Sequence, residues 1–221
     1  MRLLIQALVK FLAGLVLVGA LLFLPAGSWA YTGGWRFLAL LFVPMLALGI
    51  VLFCKSPQLL EKRLNAKEKA ASQRGVTAAA GLLFVAGFIV AGLDFRFGWS
   101  HMPLWLVVAA SAVLLISYAL YAEVMRENAY LSRTVEVQEN QKVVDTGLYG
   151  IVRHPMYAVT IWLFLSIPVV LGSYWAVLCF LPYVLVIVIR IRGEEQLLAA
   201  ELSGYSDYQK RVKYRLIPFI W

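Results

Sequence analysis

The chain has 221 residues, of which 62% are hydrophobic and only 14% charged, with a formal net charge of +8 and a mean hydropathy of +0.80. A soluble domain carries about 25% charged residues, so a water-soluble globule is excluded. The apolar residues come in blocks rather than at amphipathic spacing, and several blocks approach the roughly 20 residues that a bilayer-crossing helix needs. The expected fold class is all-α: a polytopic membrane bundle of five to six transmembrane helices, with a Pro-kinked C-terminal hairpin.

The first apolar segment covers residues 4–24. Arg2, Lys10, an apolar run and "SWA" before Tyr31 imitate a signal peptide, but the run is long enough to span, and it reads as an uncleaved first helix. A Pro/Gly-rich turn with aromatics, "PAGSWAYTGGW", suits a membrane interface and leads to a second segment at 35–54. The polar, helix-prone "KSPQLLEKRLNAKEKAASQRG" follows, then apolar segments at 76–93 and 103–122, joined by the aromatic link "DFRFGWSHM". A long polar stretch fills 123–155. The fifth and sixth segments, 156–171 and 174–190, contain Pro168 and Pro182 and are joined only by "GSY". Proline inside a helix removes a hydrogen bond and kinks it, so six spans and five spans plus a re-entrant hairpin both stand. A polar tail occupies 191–221. This divides the chain into a four-helix membrane region, 1–122, and a C-terminal region, 123–221, expected to be catalytic.

Of the 20 basic residues, 18 fall in segments that a six-pass count places on one side, and only Arg36 and Arg96 fall on the other. The positive-inside rule then places both termini and both long polar segments in the cytoplasm. The charge favours anionic lipid headgroups. No basic–aromatic module accompanies it, so nucleic acid is not an expected partner. Cys54 and Cys179 lack CxxC spacing and read as small buried hydrophobes. With His101 and His154 the only histidines, and no HExxH, no metal site is expected.

Two polar clusters stand at the feet of the last hairpin. One is "GLYGIVRHPMY", with Gly147, Tyr149, Arg153, His154, Pro155 and Tyr157; the other is "RIRGEE" with Arg190, Glu194 and Glu195, followed by "GYSDYQKRVKYRLIP" with Tyr205 and Tyr208. Ionisable groups at a membrane helix mouth are costly to desolvate, so they are paired or functional. Arg190 and Glu194, four apart, share a helical face. Glu195 is turned about 100° away and is free for Arg153 or a bound cation. The same residues also have bland readings: snorkelling anchors for the arginines, a first-turn proline at 155, and interfacial tyrosines.

Taken together, the two clusters resemble the integral-membrane methyltransferase superfamily, which includes isoprenylcysteine carboxyl methyltransferases and phospholipid methyltransferases. The match is good over residues 140–221 and one of layout before that, and the chain looks most like bacterial members of the isoprenylcysteine type. The resemblance implies S-adenosylmethionine as cofactor, with contacts at Gly147, Tyr149, Arg153, His154, Pro155, Tyr157, Glu194, Glu195, Tyr205 and Tyr208. It also implies catalytic roles for Arg153, Glu194 and Glu195, Glu195 orienting or deprotonating the acceptor. The implied reaction methylates a lipophilic acceptor arriving from the bilayer, a carboxylate of isoprenylcysteine type favoured, in the inner membrane of a bacterium. Family sequences commonly have a small residue, often glycine, two positions after the motif tyrosine; this chain has Val159. The alternatives are an NADPH-dependent polyisoprenoid or sterol-type reductase and a small transporter or scaffold. A transporter should show internal repeats, and none is found.

Overall fold

The computed structural model describes residues 2–64, 71–131 and 136–221. Residues 65–70 and 132–135, with Lys67, Lys69 and Arg133 of the basic segments, lie outside the described residues. The described residues form an all-helical bundle without strands. In chain order the helices are α1 (Arg2–Ala26), α2 (Thr32–Lys55), α3 (Pro57–Leu64), α4 (Ala71–Phe97) and α5 (Leu104–Glu127). After a 3-10 turn at Gly147–Gly150 come α6 (Pro155–Leu171), α7 (Tyr174–Phe180), α8 (Tyr183–Glu201) and α9 (Tyr205–Arg211). The boundary expected at 122/123 falls inside α5.

Five helical stretches are long and apolar enough to cross a membrane: α1, α2, residues 73–97 of α4, α5, and residues 174–201, made by α7 and α8 in succession. At 17 residues, α6 is shorter; it reaches about 25 Å where a hydrocarbon core is about 30 Å thick. Its ends nevertheless contact opposite ends of the bundle. At the far end, Gly172 takes the left-handed conformation (φ +85°) that stops α6, and the Ser173 hydroxyl caps α7 by accepting the Ala176 amide at 3.0 Å. Carbonyls freed in the last turn of α6 are met from α2 and the residue before it. The Tyr31 hydroxyl donates to Leu171 O at 2.9 Å, and Arg36 donates Nε and Nη2 to Val170 O at 3.3 and 3.0 Å. Asp94 near the end of α4 is buried; it accepts the Ser100 amide and hydroxyl at 2.7 and 2.6 Å, and the Ser173 hydroxyl. The last turn of α6 is thus held by two other helices, which sets the height at which its first turn stands.

Leu22, Phe37, Leu114, Ile167 and Phe180 centre the core between α1, α2, α4, α5, α6 and α7, while Val16, Leu17, Leu82 and Leu104 face outward. In a bundle surrounded by hydrocarbon, an apolar side chain gains little by facing inward, so hydrophobicity does not report burial. That overturns the expectation for the cysteines: Cys54 is exposed and Cys179 only partly covered, and both are free thiols. Pro182 does not kink the interior of a single helix. It caps α8 and separates it from α7. The helix also runs on to Glu201, beyond the expected end at 190, so "RIRGEE" is helical throughout.

Candidate functional site

The chain leaves α5 at Glu127 and returns to the bundle through residues 136–146 and the Gly147–Gly150 turn. Gly147 is required by backbone geometry: its φ is +53°, and a Cβ there would stand 2.9 Å from the Glu127 carboxyl carbon. Within the turn Tyr149 N donates to Thr146 O at 3.0 Å, and just after it Ile151 N donates to Leu148 O at 3.2 Å. Tyr149 is fixed at both ends: its hydroxyl accepts from Asn128 Nδ2 at 3.0 Å, and its carbonyl accepts the Tyr208 hydroxyl at 2.8 Å. The α9 tyrosines are thereby held over the turn.

Pro155 occupies the first turn of α6, where its missing amide costs nothing. The two residues before it are buried, Arg153 at 8% and His154 at 5% exposure. Arg153 donates Nε to Glu195 Oε1 at 2.7 Å, and Nη1 to Val212 O and Lys213 O at 2.8 and 2.9 Å. The backbone adds two bonds, Arg153 N to Tyr214 O and His154 N to Arg215 O, each 2.9 Å. Segment 212–215 is therefore laced across the start of α6 like a strap. Glu195 collects three donors: Arg153 on Oε1, His154 Nε2 at 3.2 Å from the same oxygen, and Arg215 Nε on Oε2 at 2.8 Å. A buried carboxylate needs such satisfaction, and losing a partner exposes its full desolvation cost.

One helical step away, Glu194 faces elsewhere. The Tyr157 hydroxyl donates to Glu194 Oε2 at 2.5 Å and accepts from Arg190 Nε at 3.0 Å. Arg190 also reaches Thr77 on α4 with Nη1 at 3.2 Å. Tyr157 links the arginine and the carboxylate that sequence spacing placed on one face.

Tyr149, Arg153, His154, Tyr157, Glu194, Tyr205 and Tyr208 line one open cavity at the mouth of α6. Gly147, Pro155 and Glu195 do not line it; they shape the turn, start the helix and anchor Arg153 from behind the wall. Sequence reasoning did not single out Asn128, Tyr130, Gln141 and Lys142, which the polar segment contributes to the wall, nor Leu198 and Leu202. It also did not single out Arg215, although "KYRLIP" was part of the motif. The available signal was that Glu195, once buried, needs more than one donor. Val159 is buried at 7% exposure in the second turn of α6.

The tyrosines outside the spans are held neutral. Burial raises the Tyr149 hydroxyl well above its ordinary value; burial, then the Glu195 and Glu194 carboxylates, do the same for Tyr205, and burial pushes Tyr208 up to about 12. Near neutral pH they act as donors and aromatic faces, not as bases. Tyr205 carries a further signal. Its hydroxyl is buried on the cavity wall and has no hydrogen-bond partner among the described residues. Buried hydroxyls are rarely left so, and a ligand atom in the cavity is a natural partner.

Residues 104–203, from the start of α5 to just beyond α8, match the family model for phospholipid methyltransferases. The match agrees with the integral-membrane methyltransferase superfamily, isoprenylcysteine and phospholipid types together, and indicates a membrane methyltransferase. No curated protein matches the chain.

Proposed function

We propose, with the phospholipid methyltransferase segment at residues 104–203 as the premise, that this protein is an S-adenosylmethionine-dependent methyltransferase. It acts on a lipophilic acceptor at the cytoplasmic face, with a carboxylate of isoprenylcysteine type as the favoured acceptor. The observation that carries this reading is the cavity at the mouth of α6, walled by tyrosines and Glu194, with the Tyr205 hydroxyl unpartnered on its wall. The clustering of 18 of 20 basic residues supports the cytoplasmic placement.

The donor set fits the cofactor, which supplies a methyl group made electrophilic by a sulfonium. Glu194 and the faces of Tyr205 and Tyr208 suit its cationic parts, and Lys142 brings a cation to the wall for its carboxylate. Arg153 serves chiefly to build the site, since its Nε and Nη1 are occupied by Glu195 and the strap. Glu195, receiving three donors behind the wall, positions Arg153, His154 and Arg215 rather than moving a proton. The tyrosines stay protonated, so the bases left on the wall among the described residues are of two kinds, carboxylate (Glu136 and Glu194) and imidazole (His154). An acceptor that arrives already anionic needs neither, which favours a carboxylate. What remains for the protein is alignment and exclusion of water.

The test is calorimetric binding of S-adenosylhomocysteine to the purified protein in detergent and in lipid nanodiscs, with NADPH as control. Micromolar binding that weakens in Glu194→Gln is expected. Silence with S-adenosylhomocysteine in both environments overturns the reading. With a labelled methyl donor and a farnesylated cysteine derivative, label released as methanol in alkali identifies a carboxyl ester; alkali-stable label overturns the carboxylate assignment.

A further inference from the structure

Beyond the strap, the chain makes a small loop that the site does not require. Leu216 is buried in a cluster with Tyr157, Tyr183, Ile187 and Ile191, and Trp221 packs against that same cluster. The Leu216 and Ile217 amides both donate to Trp221 O, at 2.9 and 3.1 Å, closing the loop on itself. The guanidinium of Arg215 lies 5.2 Å from the centre of the Trp221 ring. Between these stems stand Ile217, Pro218, Phe219 and Ile220. Phe219 is 87% and Ile220 76% exposed. Phe219 also has φ +66°, in the left-handed region that glycine occupies at low energy and a bulky residue rarely adopts.

The Phe219 ring lies 5.3 Å from that of Tyr214 in the strap, yet most of its surface is uncovered, and a strained, largely exposed aromatic at a loop tip is unfavourable in water and favourable in a bilayer. The depth agrees. Tyr183, Ile187 and Ile191 belong to the 174–201 span, so both stems of the loop are seated against a membrane-crossing helix. A four-residue tip reaches no more than about 7 Å from its stems. The flank carries an exposed cation, Lys213, suited to anionic headgroups, while Lys210, Arg211 and Arg215 pair with Asp207, Asp145 and Glu195.

We infer that Ile217, Phe219 and Ile220 insert into the leaflet at the site end of the bundle, and that this lipid contact holds the strap 212–215 in place over Arg153. The partner is the bilayer itself. Anchorage to lipid rests only on the membrane fold; its coupling to the cavity rests on the methyltransferase reading.

Two arms test this in nanodiscs of mixed anionic and zwitterionic lipid. In a Cys54→Ala, Cys179→Ala background, Phe219→Cys carries an environment-sensitive fluorophore, with Lys210→Cys as the exposed comparison. The expected result at 219 is blue-shifted emission, quenching by spin-labelled lipid, and much weaker quenching by aqueous iodide than at 210. Iodide quenching equal at both positions overturns the anchor, as does energy transfer between copies in place of lipid quenching, which would assign the tip to a second copy. In the second arm, Phe219→Gly suits the local φ but removes the apolar group, and Phe219→Asp adds a charge. Both should lower S-adenosylhomocysteine affinity by about tenfold, whereas Phe219→Leu keeps it. Unchanged affinity in Phe219→Asp overturns the coupling. Absence of binding in the parent protein instead overturns the methyltransferase reading, and the quenching arm still decides the anchor.

Discussion

Arg153 and Glu195 stand 42 residues apart in the chain and 2.7 Å apart in the fold, both side chains buried. The pair joins the residues just before α6 to the last third of α8. Because Arg153 also holds Val212 O and Lys213 O, one guanidinium ties together three parts of the site. Glu195→Gln leaves the buried Arg153 and the partly exposed Arg215 without their counter-charge. Removing one partner of a buried pair typically costs about 3–5 kcal/mol, so thermal unfolding in detergent should show a large drop in Tm. A Tm equal to the parent's would mean that the pair behaves as a solvated surface bridge.

Tyr205→Phe separates ligand binding from stability. An unsatisfied buried hydroxyl costs about 1–3 kcal/mol, and the Tyr205 hydroxyl has no partner among the described residues. The substitution should leave Tm unchanged or raise it, while weakening S-adenosylhomocysteine binding in calorimetry. A lower Tm with unchanged binding would make the hydroxyl structural.

Asp94 holds the far end of α6 through Ser100 and Ser173. Hydrogen bonds to a charged acceptor contribute about 1.5–3 kcal/mol each, so Asp94→Ala should destabilise by about 3 kcal/mol or more, Asp94→Asn by less and Ser173→Ala by least. Denaturant-induced unfolding of the detergent-solubilised protein measures the order, and an Asp94→Ala midpoint equal to the parent's would remove the clamp.

The tyrosines define an alkaline limit. The folded-state Tyr208 hydroxyl is pushed up to about 12, and Tyr149 and Tyr205 are raised as well. A raised folded value means that these groups contribute stability in full below the unfolded tyrosine value of about 10, and that this contribution is lost as pH rises through the folded value. Stability should therefore show no tyrosine-linked loss from neutrality to about pH 9 and fall at higher pH. The loss should shrink in Tyr208→Phe, read by spectrophotometric titration beside thermal unfolding.

Much of the fold was legible because its cause is local. Length and hydropathy over about 20 residues identify a membrane helix, and the apolar blocks became α1, α2, α4, α5 and the 174–201 stretch. Helical spacing alone set Glu195 about 100° from Glu194. The structure places one behind the wall with Arg153 and the other on the wall with Tyr157. The polar segment was harder to read: its described residues 136–146 form no helix or strand, and Lys142 joins Asn128, at the end of α5, on the cavity wall.

By itself, the sequence determined that the chain is a helical membrane protein, which end carries its charge, and that the two motifs lie at the feet of one hairpin. These follow from hydropathy, charge count and residue spacing, which need no knowledge of neighbours. Only the tertiary structure decided that Cys54 faces outward, that Arg215 completes the Glu195 network, that Asp94 and Arg36 pin α6 from the far end, and that Glu194 rather than Glu195 faces the cavity. In a bundle surrounded by hydrocarbon, apolar residues are equally content inside or out, so the directions that side chains take are set by which polar groups must find one another.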